Sequence, residues 1–266
     1  MLTNYHTHTT FCDGKNTPEE VAESAGEKGF DALGFSGHAG SPYSSYGIKD
    51  MRGYITAVKE LKEKYKGKLQ IYLGVEEDMY APVNRDDYEY LIGSAHYIFK
   101  NGVYYPLDST NERLMKCVSE CFDNDAVKLA ESYYSSFCDY IFKRRPDIVG
   151  HFDLITKFDE KNGGLFSENR EYLSVAKKYM EKAASSGCLF EVNTGAISRG
   201  YATTPYPREE LLYVLKKCGG DVILSSDSHS RDTLDCFFDE TKKLLRFAGF
   251  EYTYILYDGS FIRDSL

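Results

Sequence analysis

A chain of 266 residues, 42% apolar and 27% charged, is long enough for a sizeable core and has the composition of a globular protein, which sets aside disorder, collagen and coiled coil. Its net charge of −9 argues against a nucleic-acid binder, which usually carries a basic face. No apolar run reaches bilayer length, the first residues have neither a basic n-region nor an apolar h-region, and the seven scattered cysteines form no CxxC pair. A cytoplasmic protein with reduced thiols and no membrane partner is expected.

Short apolar runs alternate with longer segments of helical period. Strands are expected at 2–6, 32–36, 70–76, 90–94, 148–151, 189–193, 222–226 and 252–257. The first helix is announced by Thr17 at the N-cap, Pro18 at N1 and Glu20 at N3, and is stopped by Gly29. Further helices are expected at 50–66, 111–122, 123–144, 167–186, 208–217 and 232–248, with 99–110 as the longest irregular stretch. There is no repeat and no Pro/Gly-rich linker, so residues 1–266 read as one domain. Seven or eight βα units in a chain of this length favour an α/β fold of parallel strands closed into a barrel.

The histidines carry the functional signal. There are six, His6, His8, His38, His96, His151 and His229, and each falls at or just beyond the C-terminal end of an expected strand. In a parallel βα barrel those ends converge on the face where active sites are built. A lone histidine is more often a surface or satisfied core residue; six of six at one kind of position is hard to explain that way. His6-Thr7-His8 and Asp227-Ser228-His229 each point two side chains to one side by the two-residue period of an extended chain. Asp13, Glu76, Glu191 and Asp227 accompany them. A carboxylate buried at a strand end needs a cation, and imidazole with carboxylate and without thiolate suits Zn²⁺, Mn²⁺ or Fe²⁺ at a catalytic site.

The ordered set His6-x-His8, Asp13, His38, Glu76, His96, His151, Glu191-x-Asn193 and Asp227-x-His229 resembles the PHP (polymerase and histidinol phosphatase) superfamily. The opening HTHTTFCDG at 6–14, the run Gly150-His151-Phe152-Asp153-Leu154 and the run Tyr105-Pro106-Leu107-Asp108 resemble its histidinol-phosphate phosphatase branch. The resemblance implies a distorted (β/α)7 TIM-like barrel and a trinuclear metal site at the C-terminal strand ends. By position, the first ion takes His6, His8, Glu76 and Asp227; the second shares Glu76 and takes His96 and His151; the third takes Asp13, His38 and His229. Asp227 and His229 are the expected catalytic pair. Gly37 departs from the pattern, standing where an Asp often precedes the equivalent of His38.

The expected reaction is hydrolysis of L-histidinol phosphate to L-histidinol and phosphate, a step of histidine synthesis, by attack of a hydroxide bridging the metals. Three divalent ions, set against Asp13, Glu76, Asp227 and that hydroxide, leave an excess of positive charge that a phosphomonoester dianion neutralises. Arg199 is a candidate phosphate clamp, with a solvated loop arginine as the plainer reading; Lys157 reads as a phosphate contact or as a surface lysine. For the amine and imidazole of histidinol phosphate, Asp108 leads, and Glu191 and Asp153 are further candidates for substrate or for ligand support. The competing readings are a PHP phosphoesterase for another small phosphomonoester, such as a nucleotide or sugar phosphate, and a non-catalytic metal-binding PHP scaffold.

Overall fold

The computed structural model describes residues 1–266. In chain order its main elements are β1 (Thr3–Asn4), α1 (Pro18–Glu27), β2 (Ala32–Phe35), α2 (Met51–Lys64), β3 (Gln70–Asp78), β4 (Tyr90–Ser94), β5 (Tyr97–Lys100), β6 (Val103–Pro106), α3 (Asn111–Cys121), α4 (Ala126–Arg144) and β7 (Ile148–Val149). The second half adds α5 (Arg170–Ala184), β8 (Leu189–Asn193), α6 (Gly195–Ser198), α7 (Glu209–Lys217), β9 (Val222–Ser225), α8 (Phe238–Phe247), β10 (Tyr252–Tyr257) and β11 (Ser260–Ser265). One sheet runs β1-β2-β3-β4-β7-β8-β9-β10-β11 and is parallel up to the final antiparallel hairpin. Just beyond β1 and β9 the chain forms a further parallel bridge, Thr7 to Ser228, with the His8 amide donating to Ser228 O (2.8 Å). No helix is long and apolar enough to cross a membrane.

Helix starts follow the caps written in the sequence. Thr17 and Glu20 form a reciprocal capping box at α1, and the side chains of Asp50, Thr110, Asp125 and Asn169 cap α2, α3, α4 and α5. Three helix starts move inward by three residues or more, the fourth from 123 to Ala126 because Asp123 and Asn124 are left-handed (φ 54° and 61°). The last helix, expected from 232, starts at Phe238, because Phe237 is left-handed (φ 59°) and 231–233 form a separate 3-10 turn. The fifth starts at Arg170, after its Asn169 cap.

Most of 99–110 is not irregular. β5 and β6 form a hairpin turned by Asn101-Gly102, both at positive φ (53° and 79°), and Asp258-Gly259 turns β10 into β11 in the same way (49° and 75°). Inside the sheet, Tyr90 lies across its neighbours and donates to Tyr5 O (2.6 Å). A Cβ on either Gly34 or Gly74 would come within 2.2 Å of the Tyr90 ring or hydroxyl, so both positions require glycine. This ring joins Tyr5, Tyr72, Ile92, Ile148 and Ile223 in a buried cluster beneath the strand ends that carry the histidines.

Candidate metal centre

Glu76 is the hub. It is 1% exposed, and β3 delivers its carboxylate into a ring of imidazoles. Oε1 lies 2.9 Å from His151 Nε2 and 3.2 Å from His96 Nε2; Oε2 lies 2.7 Å from His38 Nδ1, 3.3 Å from His6 Nε2 and 3.6 Å from His8 Nε2. Burial alone raises a carboxyl's pKa; the charges of His38, His6 and His96 and the His151 hydrogen bond outweigh it and hold Glu76 well below the usual range. Asp227 is the second hub, with Oδ1 3.1 Å from His8 Nε2 and 3.7 Å from His6 Nε2. Asp13 closes the outer side, 3.4 Å from His229 Nε2 and 3.7 Å from His38 Nε2.

All nine residues expected to hold metal meet here. Four sets each present ligand atoms within 4.8 Å of one another: His6, His8 and Glu76; His6, His151 and Asp227; His38, Glu76 and His96; and His8, Asp13, His38 and His229. Within the cluster the buried His6 Nε2, His8 Nε2 and Glu76 Oε2 have no hydrogen-bond partner. Unpaired lone pairs aimed at one another in a dry site are the arrangement a divalent cation satisfies, so the donor set fits metal. Without a cation the imidazoles oppose each other: burial, then His229 and His38, push His8 down to about 3.

The backbone supports the ligands. Asn4 receives the amides of His6 (3.1 Å) and Ser226 (3.2 Å) on Oδ1 and donates to Ser226 Oγ (2.6 Å), which fixes the approach of β1 to β9. Asp227 is left-handed (φ 47°), a strained conformation for a residue other than glycine. Arg199 holds it there: Nη1 donates to Asp227 O (2.8 Å) and Nη2 to Asp227 Oδ2 (2.9 Å). Burial opposes the Arg199 charge, but Asp227 more than restores it. The same Nη1 lies 2.9 Å from His229 Nδ1.

Glu191 is not where a substrate contact belongs. It is 1% exposed and lies behind the imidazoles: Oε1 is 2.6 Å from His6 Nδ1, and Oε2 accepts from the His151 amide and Asn193 Nδ2, each at 2.9 Å. It orients His6 and His151, a task the spacing Glu191-x-Asn193 does not distinguish from substrate binding. Asp153 is likewise sealed in; its Oδ2 accepts from the Arg208 amide (3.0 Å). Asp108 and Lys157, two separate candidates in the sequence, meet: Lys157 Nζ donates to Asp108 O (2.7 Å) and lies 3.5 Å from its Oδ2. Burial raises Asp108, but Lys157 and three histidines outweigh it and lower its pKa.

The cluster opens into a cavity of about 390 Å³ lined by Asp13, His38, His96, His151, Asp227 and His229 on the metal side and by Tyr46, Tyr97, Asp108, Arg113, Lys157, Arg199 and Tyr201 around them. A larger cavity, about 550 Å³, lies by Lys62, Lys66, Lys68 and Tyr72 near the starts of β2 and β3; it contains no histidine, so the smaller one is the candidate site. The sequence reading missed Asp78, Tyr46 and Arg113. For Asp78 a signal existed. In Glu76-Glu77-Asp78 the strand period sends residues 76 and 78 to one face and 77 to the other. Glu77 indeed turns away, to Arg144 (2.8 Å), Tyr140 (2.8 Å) and the Val83 amide (2.7 Å).

Comparison with known proteins agrees with this geometry. The PHP domain family model matches residues 4–195. The chain is similar to the histidinol-phosphatase of Bacillus subtilis, 28% identical over 249 residues that cover 84% of this chain and 92% of the relative. It is also similar to a probable histidinol-phosphatase of Schizosaccharomyces pombe, at 25% identity over 86% of this chain and 81% of the relative. Among solved structures, a histidinol phosphate phosphatase of Lactococcus lactis, complexed with zinc, L-histidinol and phosphate, shares the fold with a TM-score of 0.74 at 17% identity, covering 98% of both chains. A putative histidinol phosphatase of Listeria monocytogenes has the same TM-score at 19% identity, covering 90% of this chain and 99% of its own. With the PHP domain model matching residues 4–195, most of its length, the chain belongs to the PHP domain family.

Proposed function

We propose that this chain is a metal-dependent phosphatase that hydrolyses L-histidinol phosphate to L-histidinol and phosphate. The observation that carries the reading is the largely buried cluster of six histidines and three carboxylates, with Asp13 at its exposed rim, at the floor of a cavity that also presents Arg199, Lys157 and Asp108. The names of the relatives point to the same substrate.

In this reading the fold is a single domain, a distorted (β/α)7 barrel closed by the Thr7–Ser228 bridge between the first and seventh parallel strands. His6, His8, Glu76 and Asp227 would hold one ion, Glu76, His96 and His151 a second, and Asp13, His38 and His229 a third, each zinc, manganese or iron. Bound there, such ions supply Lewis-acid stabilisation of phosphoryl oxygens and a water acidic enough to act as nucleophile at neutral pH. The chain's own groups do the rest. Arg199 keeps Asp227 in its strained conformation and turns its uncommitted N–H groups to the phosphate. Glu191 fixes the proton of His6 on Nδ1 and so leaves Nε2 to the metal side. Asp108, whose charge Lys157 and the histidines maintain, receives the substrate's ammonium or imidazolium. Tyr46 and Tyr97 wall the cavity and exclude water from the leaving alcohol. The enzyme works in the cytoplasm on a free small molecule, without nucleic acid, in keeping with its charge of −9 and seven unpaired cysteines.

Arg113 favours a second reading. It is exposed at the cavity wall and contacts only Ser109 Oγ (3.3 Å), a cation for which histidinol phosphate has no second anionic group. A nucleotide or sugar phosphate with further oxygens would use it. The test is kcat/KM of the zinc-loaded protein for L-histidinol phosphate, a nucleoside monophosphate and a sugar phosphate. A preference of about 100-fold for histidinol phosphate is expected from one buried ionic contact; preference for either other ester installs the second reading.

A further inference from the structure

The cavity wall and the metal centre share one buried carboxylate. Asp78, two residues beyond Glu76 and 8% exposed, uses its two oxygens in opposite directions. Oδ2 accepts from the His96 amide (3.0 Å) and lies 3.4 Å from His96 Nδ1, a buried nitrogen with no hydrogen-bond partner. Oδ1 accepts from the Tyr43 hydroxyl (2.7 Å) and from the Tyr80 amide (3.0 Å). Tyr43 belongs to the loop between β2 and α2, a long way in sequence from the β5–β6 hairpin, yet it stacks on Tyr104 of that hairpin (4.1 Å between centroids, 18° between planes) and meets Tyr97 edge-on at 4.8 Å. Three separate segments, the 41–48 loop, the end of β3 and the hairpin, are thus tied at a single carboxylate. In the same loop, Tyr46 sets its ring edge against His38 (4.7 Å).

We infer that Asp78 and Tyr43 are positioning residues: Asp78 fixes the orientation of His96 for metal, and the Tyr43 hydroxyl locks the aromatic wall of the substrate cavity to that same ligand. A carboxylate set against the far nitrogen of a ligating imidazole biases its tautomer and ring angle, and losing such a partner costs about 10- to 100-fold in metal affinity. Here that partner is itself held by a residue of the wall, so what moves the wall moves the ligand. Thermodynamic reciprocity then requires that whatever a molecule seated against Tyr43, Tyr46 and Tyr97 does to metal affinity at the Glu76–His96–His151 group, metal does in equal measure to that molecule's affinity. The choice of substrate in this inference rests on the reading above; the link between wall and ligand does not.

The test is a double-mutant cycle on the full chain, read as zinc affinity by competition with a chromophoric chelator, with no substrate present. Tyr43→Phe deletes only the hydroxyl and keeps the stack on Tyr104. It is expected to weaken zinc binding about 3- to 10-fold, although Tyr43 touches no metal ligand directly, while Asp78→Asn weakens it about 10- to 100-fold. Once Asp78 is changed, adding Tyr43→Phe is expected to cost nothing more. Zinc affinity unchanged in Tyr43→Phe, or losses that simply multiply in the double variant, overturns the link. Tyr43→Phe alone decides the matter if Asp78→Asn does not fold. A parallel measurement of kcat/KM for histidinol phosphate and glycerol phosphate separates the two readings. A specific loss on histidinol phosphate in Tyr43→Phe supports the wall; a wild type that treats both esters alike refutes the substrate assignment and leaves the zinc cycle to be read independently.

Discussion

Glu191→Gln is the most discriminating single change for the metal centre, because it alters one atom's chemistry and almost no volume. Three donors converge on Glu191: His6 Nδ1 at 2.6 Å on one oxygen, and the His151 amide and Asn193 Nδ2 at 2.9 Å on the other. A glutamine has one oxygen for the two sides. If that oxygen stays with His151 and Asn193, its NH₂ confronts His6 Nδ1, and the imidazole must move its proton to Nε2, the atom that faces Glu76 and Asp227 and must ligate. If the amide turns over, two buried donors lose their acceptor instead. Either way at least one charge-assisted hydrogen bond is lost, about 1.5–3 kcal/mol for one. At 1.4 kcal/mol per tenfold that is about 10- to 100-fold in metal affinity, which agrees with the usual effect of removing the partner of a ligating imidazole. The assay is zinc competition against a chelator, with kcat/KM at saturating zinc as the second readout. Glu191→Gln binding zinc within about twofold of wild type would refute the argument that Glu191 sets the His6 tautomer, and would return Glu191 to the substrate candidates.

Other consequences follow from the same coordinates. Arg144→Ala leaves the fully buried Glu77 carboxylate without its guanidinium and is expected to cost about 3–5 kcal/mol in urea unfolding, whereas Lys128→Ala, in a fully exposed pair, is expected to leave the urea midpoint nearly unchanged. Asp153 is raised from the ordinary carboxyl range to about 6 by burial. A carboxyl raised on folding contributes its stability below its unfolded value and loses it as pH climbs through the folded one. Asp153→Asn should therefore raise the unfolding free energy by about 1–3 kcal/mol at pH 7–8 and change it little at pH 4, read by thermal melts of metal-free protein. Asp108→Asn is expected to lower kcat/KM for histidinol phosphate at least about tenfold more than for glycerol phosphate; equal losses would remove Asp108 from recognition.

The convergence of six histidines and three carboxylates was legible in the sequence because metal chemistry and strand geometry constrain it twice. Histidine and carboxylate side chains had to appear at strand ends, and the two-residue period had to send His6 with His8 and Asp227 with His229 to one side. All eight expected strands and the cap at Thr17 were equally plain. What stayed hidden depends on approach across long sequence distances. Glu191 meets His6 from 185 residues away, Arg199 meets Asp227 across a left-handed turn, and Asp78 meets Tyr43 in a loop with no period to read. The β5–β6 hairpin was different, since Asn101-Gly102 between aromatic and β-branched residues spells a tight turn and the signal was passed over. Gly37, the one departure from the family pattern, has a local cause: a Cβ there would come within 3.0 Å of Ile48 and 3.1 Å of Cys12 Sγ, so that space is already filled.

The most direct measurement of the central claim is phosphate release from L-histidinol phosphate by wild type as prepared with zinc, after chelation, and after zinc is restored, alongside His6→Ala. His6 lies between Glu76 and Asp227 at the centre of the cluster, while the core beneath it is independent of metal. The account predicts turnover that disappears on chelation and returns with zinc, and a His6→Ala protein that keeps the circular dichroism of the folded state but falls below about a hundredth of wild-type activity. Undiminished phosphate release from chelated protein or from His6→Ala, or none from the zinc-loaded wild type, would contradict it.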